Sequence, residues 1–186
     1  MSRVIVYIAA SLDGYIARRD DDVSWLDEFQ SPGEDYGYAD FAGSVGTAIM
    51  GARTYAQSLK HPERLLRGMT NCVLSAKPME VPEGLAVEFY CGELEALVKK
   101  IRGASRKDIW IVGGGKTVCS FLNAGLVDEV RHFVVPVLLK DGIALYAGLS
   151  AEIRFSLEEA VPYKTGIVKL RYAPVRSGWT RARRRH

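Results

Sequence analysis

Cysteine is scarce in this sequence, and its few cysteines lie far apart. The chain of 186 residues contains three, Cys72, Cys91 and Cys119, and none belongs to a C-x-x-C pair. An odd, dispersed set argues against a disulfide framework and against a structural zinc site. The three histidines show no metal-ligand spacing either, so the sequence predicts no metal site.

Long apolar runs are absent as well. No stretch approaches the roughly 18–20 apolar residues that a membrane-spanning helix needs. The apolar segment near the N-terminus is interrupted by Asp13 and Gly14, and no signal-peptide cleavage pattern follows it. We therefore expect a soluble, cytoplasmic protein that does not contact a membrane.

Charge of one sign is concentrated only at the C-terminal end. The formal net charge is +3, and the basic excess comes from five arginines, Arg176, Arg181, Arg183, Arg184 and Arg185. Such a segment could touch nucleic acid, but no basic face with interleaved aromatic residues continues into the body of the chain. We expect one domain over residues 1–175 and a flexible basic tail over residues 176–186, with nucleic-acid binding the less favoured interpretation.

The composition is that of a globular domain, with 48% hydrophobic and 25% charged residues. Short β-rich runs alternate with amphipathic segments through the first two-thirds of the chain, and two strands then flank a turn at residues 164–166. This order predicts an α/β protein with three layers: a mostly parallel, twisted central sheet, helices on both faces, and an antiparallel C-terminal hairpin. The strands are predicted over residues 4–11, 47–51, 70–78, 84–90, 107–113 and 127–139, and the helices over residues 35–46, 52–59, 92–102 and 116–125.

Three consecutive glycines, Gly113, Gly114 and Gly115, lie between a predicted strand and a predicted helix. Free N–H groups at a helix N-terminus attract anions, and Lys116 and Thr117 add a positive charge and a hydroxyl group. A tight turn also needs small residues, but three glycines are more than a turn requires, since each weakens the chain locally. We therefore favour a phosphate site, although the motif alone identifies no fold.

Two other strand ends repeat this pattern. Gly51 precedes a helix that begins with Arg53 and Thr54, and another strand ends near Ser75 and Lys77. In an open α/β sheet, ligands bind outside the carboxyl ends of the strands. Together the three strand ends predict an elongated ligand with two charged groups, as a dinucleotide would be.

Five stretches carry a family resemblance: AASLDGYIA, AIMGARTY, VLSAKP, IVGGGKTVCSFLNAGLVDEV and VVPVLLKDGIALY. They occur in the order found in the dihydrofolate reductase-like superfamily. They most resemble its branch containing the C-terminal reductase domain of the bifunctional riboflavin-biosynthesis deaminase–reductase. The resemblance covers residues 3–173 and implies a dihydrofolate reductase-like fold, NADPH as the hydride donor, and a homodimer.

The resemblance also implies how a cofactor would be held. The backbone of Ala9 would meet the nicotinamide carboxamide, and the following loop would close over it. A cis peptide bond is implied between Gly113 and Gly114. The implied cofactor-binding residues are Ala9, Asp13, Ile16, Gly51, Arg53, Thr54, Ser75, Lys77, Val112, Gly113, Gly114, Gly115, Lys116 and Thr117. One departure concerns Ala52, which replaces a basic residue that often contacts the 2′-phosphate, so the preference for NADPH would depend on Arg53 and Lys77.

The substrate side is less well defined. The resemblance implies a catalytic carboxylate near the first helix, for which Asp35 is the first candidate and Asp40 the second; a solvent-exposed carboxylate is the alternative for each. Four aromatic residues of this region could stack on a planar substrate or could belong to the core. They are Trp25, Tyr36, Tyr38 and Phe41.

The favoured hypothesis is an NADPH-dependent reductase that transfers a hydride to a small heterocyclic substrate. It would resemble 5-amino-6-(5-phosphoribosylamino)uracil reductase. However, a second phosphate site is not evident beyond Arg18, Arg19 and Arg64, which favours a paralogue with another substrate. The alternatives are a dihydrofolate reductase-type activity and a non-catalytic, dimeric nucleotide-binding module.

Overall fold

The computed structural model describes residues 2–175, so the predicted tail over residues 176–186 lies outside the described residues. The strands are β1 (Val4–Ser11), β2 (Tyr15–Ala17), β3 (Val45–Gly51), β4 (Thr70–Leu74), β5 (Val87–Tyr90), β6 (Asp108–Gly113), β7 (Glu129–Val135), β8 (Ile143–Ala144), β9 (Phe155–Pro162) and β10 (Val168–Pro174). The helices are α1 (Tyr38–Ser44), α2 (Ala52–Lys60), α3 (Leu94–Ala104) and α4 (Gly115–Asn123), with short 3₁₀ turns at Ser24–Phe29 and Pro62–Arg64.

Eight strands form one sheet in the order β5-β4-β3-β6-β1-β7-β10-β9, and β2 pairs with β8 beside it. The pairs from β5 through to β7 are all parallel, while β10 runs antiparallel to both β7 and β9. The predicted mostly parallel sheet with an antiparallel C-terminal hairpin is therefore confirmed.

Alternation along the central strand β1 explains the three layers. Val4 and Val6 point into a core cluster that includes side chains of α3 and α4. Ile5 and Tyr7 point to the opposite face, where α1 and α2 supply the partners. Because both faces of β1 are covered, its sequence is an almost continuous apolar run, as is typical of a parallel sheet.

Several predicted boundaries differ from those of the structure, and in some of them a local cause can be named. The strand expected over residues 70–78 stops at Leu74, because the Ser75 hydroxyl accepts the Lys77 N–H and donates to the Lys77 carbonyl. The first helix begins at Tyr38 rather than near Asp35. The strand expected to reach residue 139 ends at Val135, before a proline that has no N–H to donate.

A short strand, β2, also occupies a segment that was expected to be a loop. Among the described helices, none combines the length and the apolar character that crossing a bilayer would require.

Candidate functional site

A cleft of about 650 Å³ opens at the carboxyl ends of β1, β3 and β6, beside the starts of two helices. Its lining combines Ala9 of β1 with the first residues of α2 and α4, and with residues of the segment that follows β2. Three neighbouring parallel strands thus end at one opening, which is where ligands of open α/β sheets bind.

Two helices begin at this cleft without a side-chain cap. The residue before α2 is Gly51 and the residue before α4 is Gly114, and neither helix start receives a side-chain hydrogen bond. Their first-turn N–H groups therefore lack an intrahelical partner, and the helix dipoles add partial positive charge. Two such termini beside one cleft form a cradle for an anionic group with two charged centres.

Gly114 and Gly115 differ in what an added side chain would meet. A Cβ atom on Gly115 would come within 2.6 Å of the Ala144 carbonyl oxygen, so this position admits only glycine. A Cβ on Gly114 would instead project between Thr54 and Ile16, at 3.5 and 3.7 Å, and both of those residues line the cleft. The absence of a side chain at Gly114 thus leaves space in the cleft, and no clash requires a glycine there. The implied cis peptide bond between Gly113 and Gly114 is present.

An aromatic wall completes the cleft. Tyr7 and Trp110 both line it, with ring centroids 5.9 Å apart in an edge-on arrangement, and the Trp110 indole N–H donates to the Tyr7 carbonyl over 3.0 Å. Burial is the main cause that raises the pKa of Tyr7, so its phenol stays neutral at physiological pH. Val23 and Leu26 add aliphatic surface to the same cleft. A flat, uncharged ring is what such a wall accommodates.

The comparisons with known proteins agree with this geometry. Residues 2–169 match the family model described as the RibD C-terminal domain. The chain belongs to the RibD C-terminal domain family. The uncharacterized protein YwjB of Bacillus subtilis (strain 168) is 34% identical over 157 residues, which is 84% of this chain and 89% of YwjB.

Solved structures place the fold in the same group. A putative riboflavin biosynthesis protein from Shewanella sp. PV-4 superposes with a TM-score of 0.85 at 28% identity, over 94% of this chain and 99% of that one. The deaminase/5-amino-6-(5-phosphoribosylamino)uracil reductase of Thermotoga maritima gives 0.73 at 16% identity, over 94% of this chain and 57% of that longer chain. Dihydrofolate reductase from Enterococcus faecalis, complexed with NADP(H), gives 0.63 at 15% identity, over 92% of this chain and 96% of that one. The predicted dihydrofolate reductase-like fold is confirmed.

Within this RibD C-terminal domain, most of the predicted cofactor residues come together. Those that line the cleft are Ala9, Ile16, Gly51, Arg53, Thr54, Val112, Gly114, Gly115, Lys116 and Thr117. Stretches separated by tens of residues in the chain thus meet around one opening, as the strand-end pattern predicts.

Four predicted cofactor residues do not line the cleft. The Asp13 carboxylate accepts a hydrogen bond from the Ser11 hydroxyl, which is the main cause that lowers its pKa, and it also accepts the backbone N–H groups of Leu139 and Lys140. Asp13 therefore fastens the loop after β1 to the segment after β7. Ser75 and Lys77 form the turn that ends β4. The remaining one is Gly113, where an added Cβ would face Ile8.

The two carboxylates predicted to be catalytic lie outside the cleft and are exposed. Asp35 accepts the backbone N–H groups of Ala39 and Gly37, and these bonds lower its pKa. A carboxylate with a lowered pKa is ionised at neutral pH and is a poor proton donor. Asp40 lies in the first turn of α1. The placement of these residues gives no support to the acid role proposed for them.

The four predicted substrate aromatics do not line the cleft either. Trp25 and Phe41 are buried in core clusters, and the Tyr36 hydroxyl donates to the Phe29 carbonyl. These three fit the core alternative. Tyr38 is 39% exposed, and its ring meets Trp110 edge-on with centroids 6.0 Å apart. Phe41 and Tyr38 thus pack against Tyr7 and Trp110, the two aromatic residues that line the cleft.

Several cleft residues were missed at the level of sequence. They are Tyr7, Ile8, Ala17, Asp21, Val23, Leu26, Ala52, Gln57, Trp110 and Ile143. Tyr7 could have been found, because residues i and i+2 of a strand share a face and Tyr7 precedes Ala9 by two. Asp21 stands inside the run RRDDD, where nothing in the sequence distinguishes it from its charged neighbours.

Proposed function

We propose that this protein is an NADPH-dependent reductase that transfers a hydride to a small, planar, heterocyclic substrate. The observation that carries the proposal is the cleft itself, which joins an anion cradle at two uncapped helix starts to an uncharged aromatic wall. A dinucleotide needs both features, one for its diphosphate and the other beside its nicotinamide ring.

The residues of the cleft suit a bound dinucleotide as follows. The first amides of α2 and α4, with Thr54, Arg53 and Lys116, surround the space for a diphosphate. Ala9 would meet the nicotinamide carboxamide, as the family resemblance implies. When bound, NADPH supplies the hydride. Tyr7 and Trp110 exclude water from the reacting groups and hold them in a fixed orientation.

The substrate we favour carries no phosphate of its own. A phosphoribosyl group requires cations to bind it, but neither Arg18 nor Arg19 lines the cleft. The third residue considered at the sequence level, Arg64, lies 3.9 Å from Glu63 and outside the cleft. Among the described residues, the cations that line the cleft are Arg53 and Lys116, both beside the proposed diphosphate site. A neutral heterocycle therefore fits better than a phosphoribosylaminouracil.

A titration with NADPH and NADH tests the proposal. Trp110 lines the cleft and its fluorescence should be quenched as the nicotinamide ring binds, whereas a Trp110→Phe variant should lose most of this signal. Saturable binding of NADPH supports a reductase. If neither dinucleotide changes the fluorescence or the melting temperature, the proposal is contradicted.

Turnover separates the reductase from a module that only binds nucleotides. Pyrimidines, pteridines and quinones, each mixed with NADPH and the protein, should reveal oxidation of the cofactor by at least one class. Oxidation with dihydrofolate alone would favour the dihydrofolate reductase-type activity. Binding without oxidation by any of the three classes would favour the non-catalytic module.

A further inference from the structure

A carboxylate bridges the cleft from one wall to the other. Asp21, on the segment after β2, receives the Arg53 Nε–H of α2, with Nε 2.8 and 2.9 Å from its two oxygens. Gln57, one turn further along α2, donates to the same carboxylate over 3.0 Å. All three residues line the cleft. The guanidinium nearest the start of α2 is therefore already bound to an anion that belongs to the protein.

The backbone around Asp21 is shaped to present this carboxylate. Its φ angle is 70°, in the left-handed region that side chains other than Gly, Asn and Asp rarely adopt. The Asp21 N–H donates to the Arg18 carbonyl over 3.1 Å. Ion pairs of Arg18 with Asp22 and of Arg19 with Asp141 fasten the segment on both sides of this contact. A residue held in an uncommon conformation by its surroundings is a candidate for a functional role.

The pair changes the electrostatics of the proposed diphosphate site. Two cationic side chains line the described cleft, Arg53 and Lys116, and Ala52 contributes no charge. The Asp21 carboxylate cancels the charge of Arg53, so the attraction left for a phosphate comes mainly from Lys116 and the helix amides. The Arg53 side chain is 68% exposed and that of Asp21 is 18% exposed, so the guanidinium remains open to the cleft and a phosphate can compete with the carboxylate for it.

We propose that Asp21 sets the affinity of the cleft for its dinucleotide, because its carboxylate occupies the position on Arg53 and Gln57 that a cofactor phosphate would take. This inference rests on the proposed function. The internal anion keeps the cofactor exchangeable, since a bound phosphate must compete with a carboxylate that cannot diffuse away.

The test compares NADPH affinity of the wild type and an Asp21→Asn variant, measured by Trp110 quenching. Asparagine keeps the shape and tolerates a positive φ, so only the charge is lost. We expect the variant to bind NADPH about 3- to 10-fold more tightly at low salt, with a smaller difference at high salt, where charges are screened. Asp20→Asn is the matched control, because this substitution removes the same charge from a neighbouring residue that does not line the cleft.

A double-mutant cycle shows whether the effect passes through Arg53. In an Arg53→Gln background, removal of the Asp21 charge should change NADPH affinity by less than about twofold. The variant has no guanidinium that the loss of the carboxylate could make available to a phosphate. Equal tightening in both backgrounds, or tightening by Asp20→Asn as large as by Asp21→Asn, overturns the inference and leaves the reductase proposal standing. So does unchanged or weaker binding by Asp21→Asn. If neither the wild type nor Asp21→Asn binds NADPH, both proposals fail.

Discussion

The ring of Tyr7 stacks on the ring of Phe41, with centroids 4.2 Å apart and planes inclined by 10°. Tyr7 lines the cleft, whereas Phe41 is 2% exposed and belongs to the core between the sheet and α1. The short helix α1 therefore packs against the aromatic wall, although neither its Phe41 nor its Tyr38 lines the cleft. Because Phe41 is fixed by the core, its stacking contact holds the Tyr7 ring in one orientation at the surface of the cleft.

Replacement of Phe41 by alanine should lower the free energy of unfolding by about 3–5 kcal/mol, because the change leaves a cavity in a closed core. Tyr38, which is 39% exposed on the same helix, is the comparison, and Tyr38→Ala should cost less, about 1–2 kcal/mol, because its ring makes only edge-on contacts with Tyr7 and Trp110. Urea denaturation followed by tryptophan fluorescence measures both. Similar losses for the two variants would mean that α1 packs less closely on Tyr7 than the stacking distance indicates.

The neighbouring glycines Gly114 and Gly115 should separate binding from stability. Gly114→Val places its side chain in the cleft between Thr54 and Ile16, so NADPH affinity should fall about tenfold or more while the unfolding free energy changes by less than about 1 kcal/mol. Gly115→Ala drives a Cβ into the backbone of Ala144 and Leu145, at 2.6 and 2.9 Å, and should destabilise the fold by about 1–3 kcal/mol.

Thermal unfolding and a dinucleotide titration on both variants provide the readouts. If Gly114→Val loses stability and affinity to the same extent, the glycines serve only as a tight turn, which is the alternative that the sequence leaves open.

The sequence predicts the fold well because the signals for the elements are local. Strand β1 is found at its predicted bounds, since an apolar run ends where Asp13 and Gly14 begin a turn. The site is harder to predict, because its key contacts join distant segments. Asp21 and Arg53 are separated by 32 positions, and an ion pair between them leaves no pattern in either local sequence.

The aromatic residues show a second reason why the site is harder to predict than the fold. Trp25, Tyr36 and Phe41 look alike at the sequence level whether they stack on a substrate or fill a core, because both roles select large flat side chains. Only the three-dimensional arrangement distinguishes them, and it assigns the cleft to Tyr7 and Trp110 instead.

His132 predicts a stability that depends on pH. Its Nε2 atom is buried and has no hydrogen-bond partner among the described residues, and the ring faces a small apolar cavity beside Tyr146. Desolvation lowers its pKa below the ordinary value of 6.5. The unfolded chain therefore binds the proton first, so this contribution to stability is full above the unfolded pKa and is lost as the pH falls through the folded pKa.

Wild-type protein should accordingly unfold at lower urea concentration as the pH decreases from 7 toward about 5, and His132→Leu should flatten this dependence. His61→Leu is the control, since it removes an imidazole that is 44% exposed and lies outside the cavity beside Tyr146. A slope that survives in His132→Leu would assign the effect to other groups.

The homodimer that the resemblance implies remains a prediction, and one face of the sheet offers a surface to test it. On the α4 side of the hairpin, cross-strand neighbours are apolar: Leu157 faces Tyr172, and Ala160 faces Leu170. The opposite side is ionic, as the 3.1 Å pair of Lys169 with Glu159 shows. A sheet with one apolar face needs a cover, and Leu157 is 53% exposed.

We therefore expect a second copy of the chain to cover the face, and Leu157→Asp should convert a dimer into a monomer in size-exclusion chromatography with light scattering. Val81→Asp places the same charge on another exposed apolar side chain, 49% exposed and far from the hairpin in sequence, and should leave the dimer intact. A wild type that is monomeric at micromolar concentration, or a Leu157→Asp variant that stays dimeric, contradicts the assignment of this face.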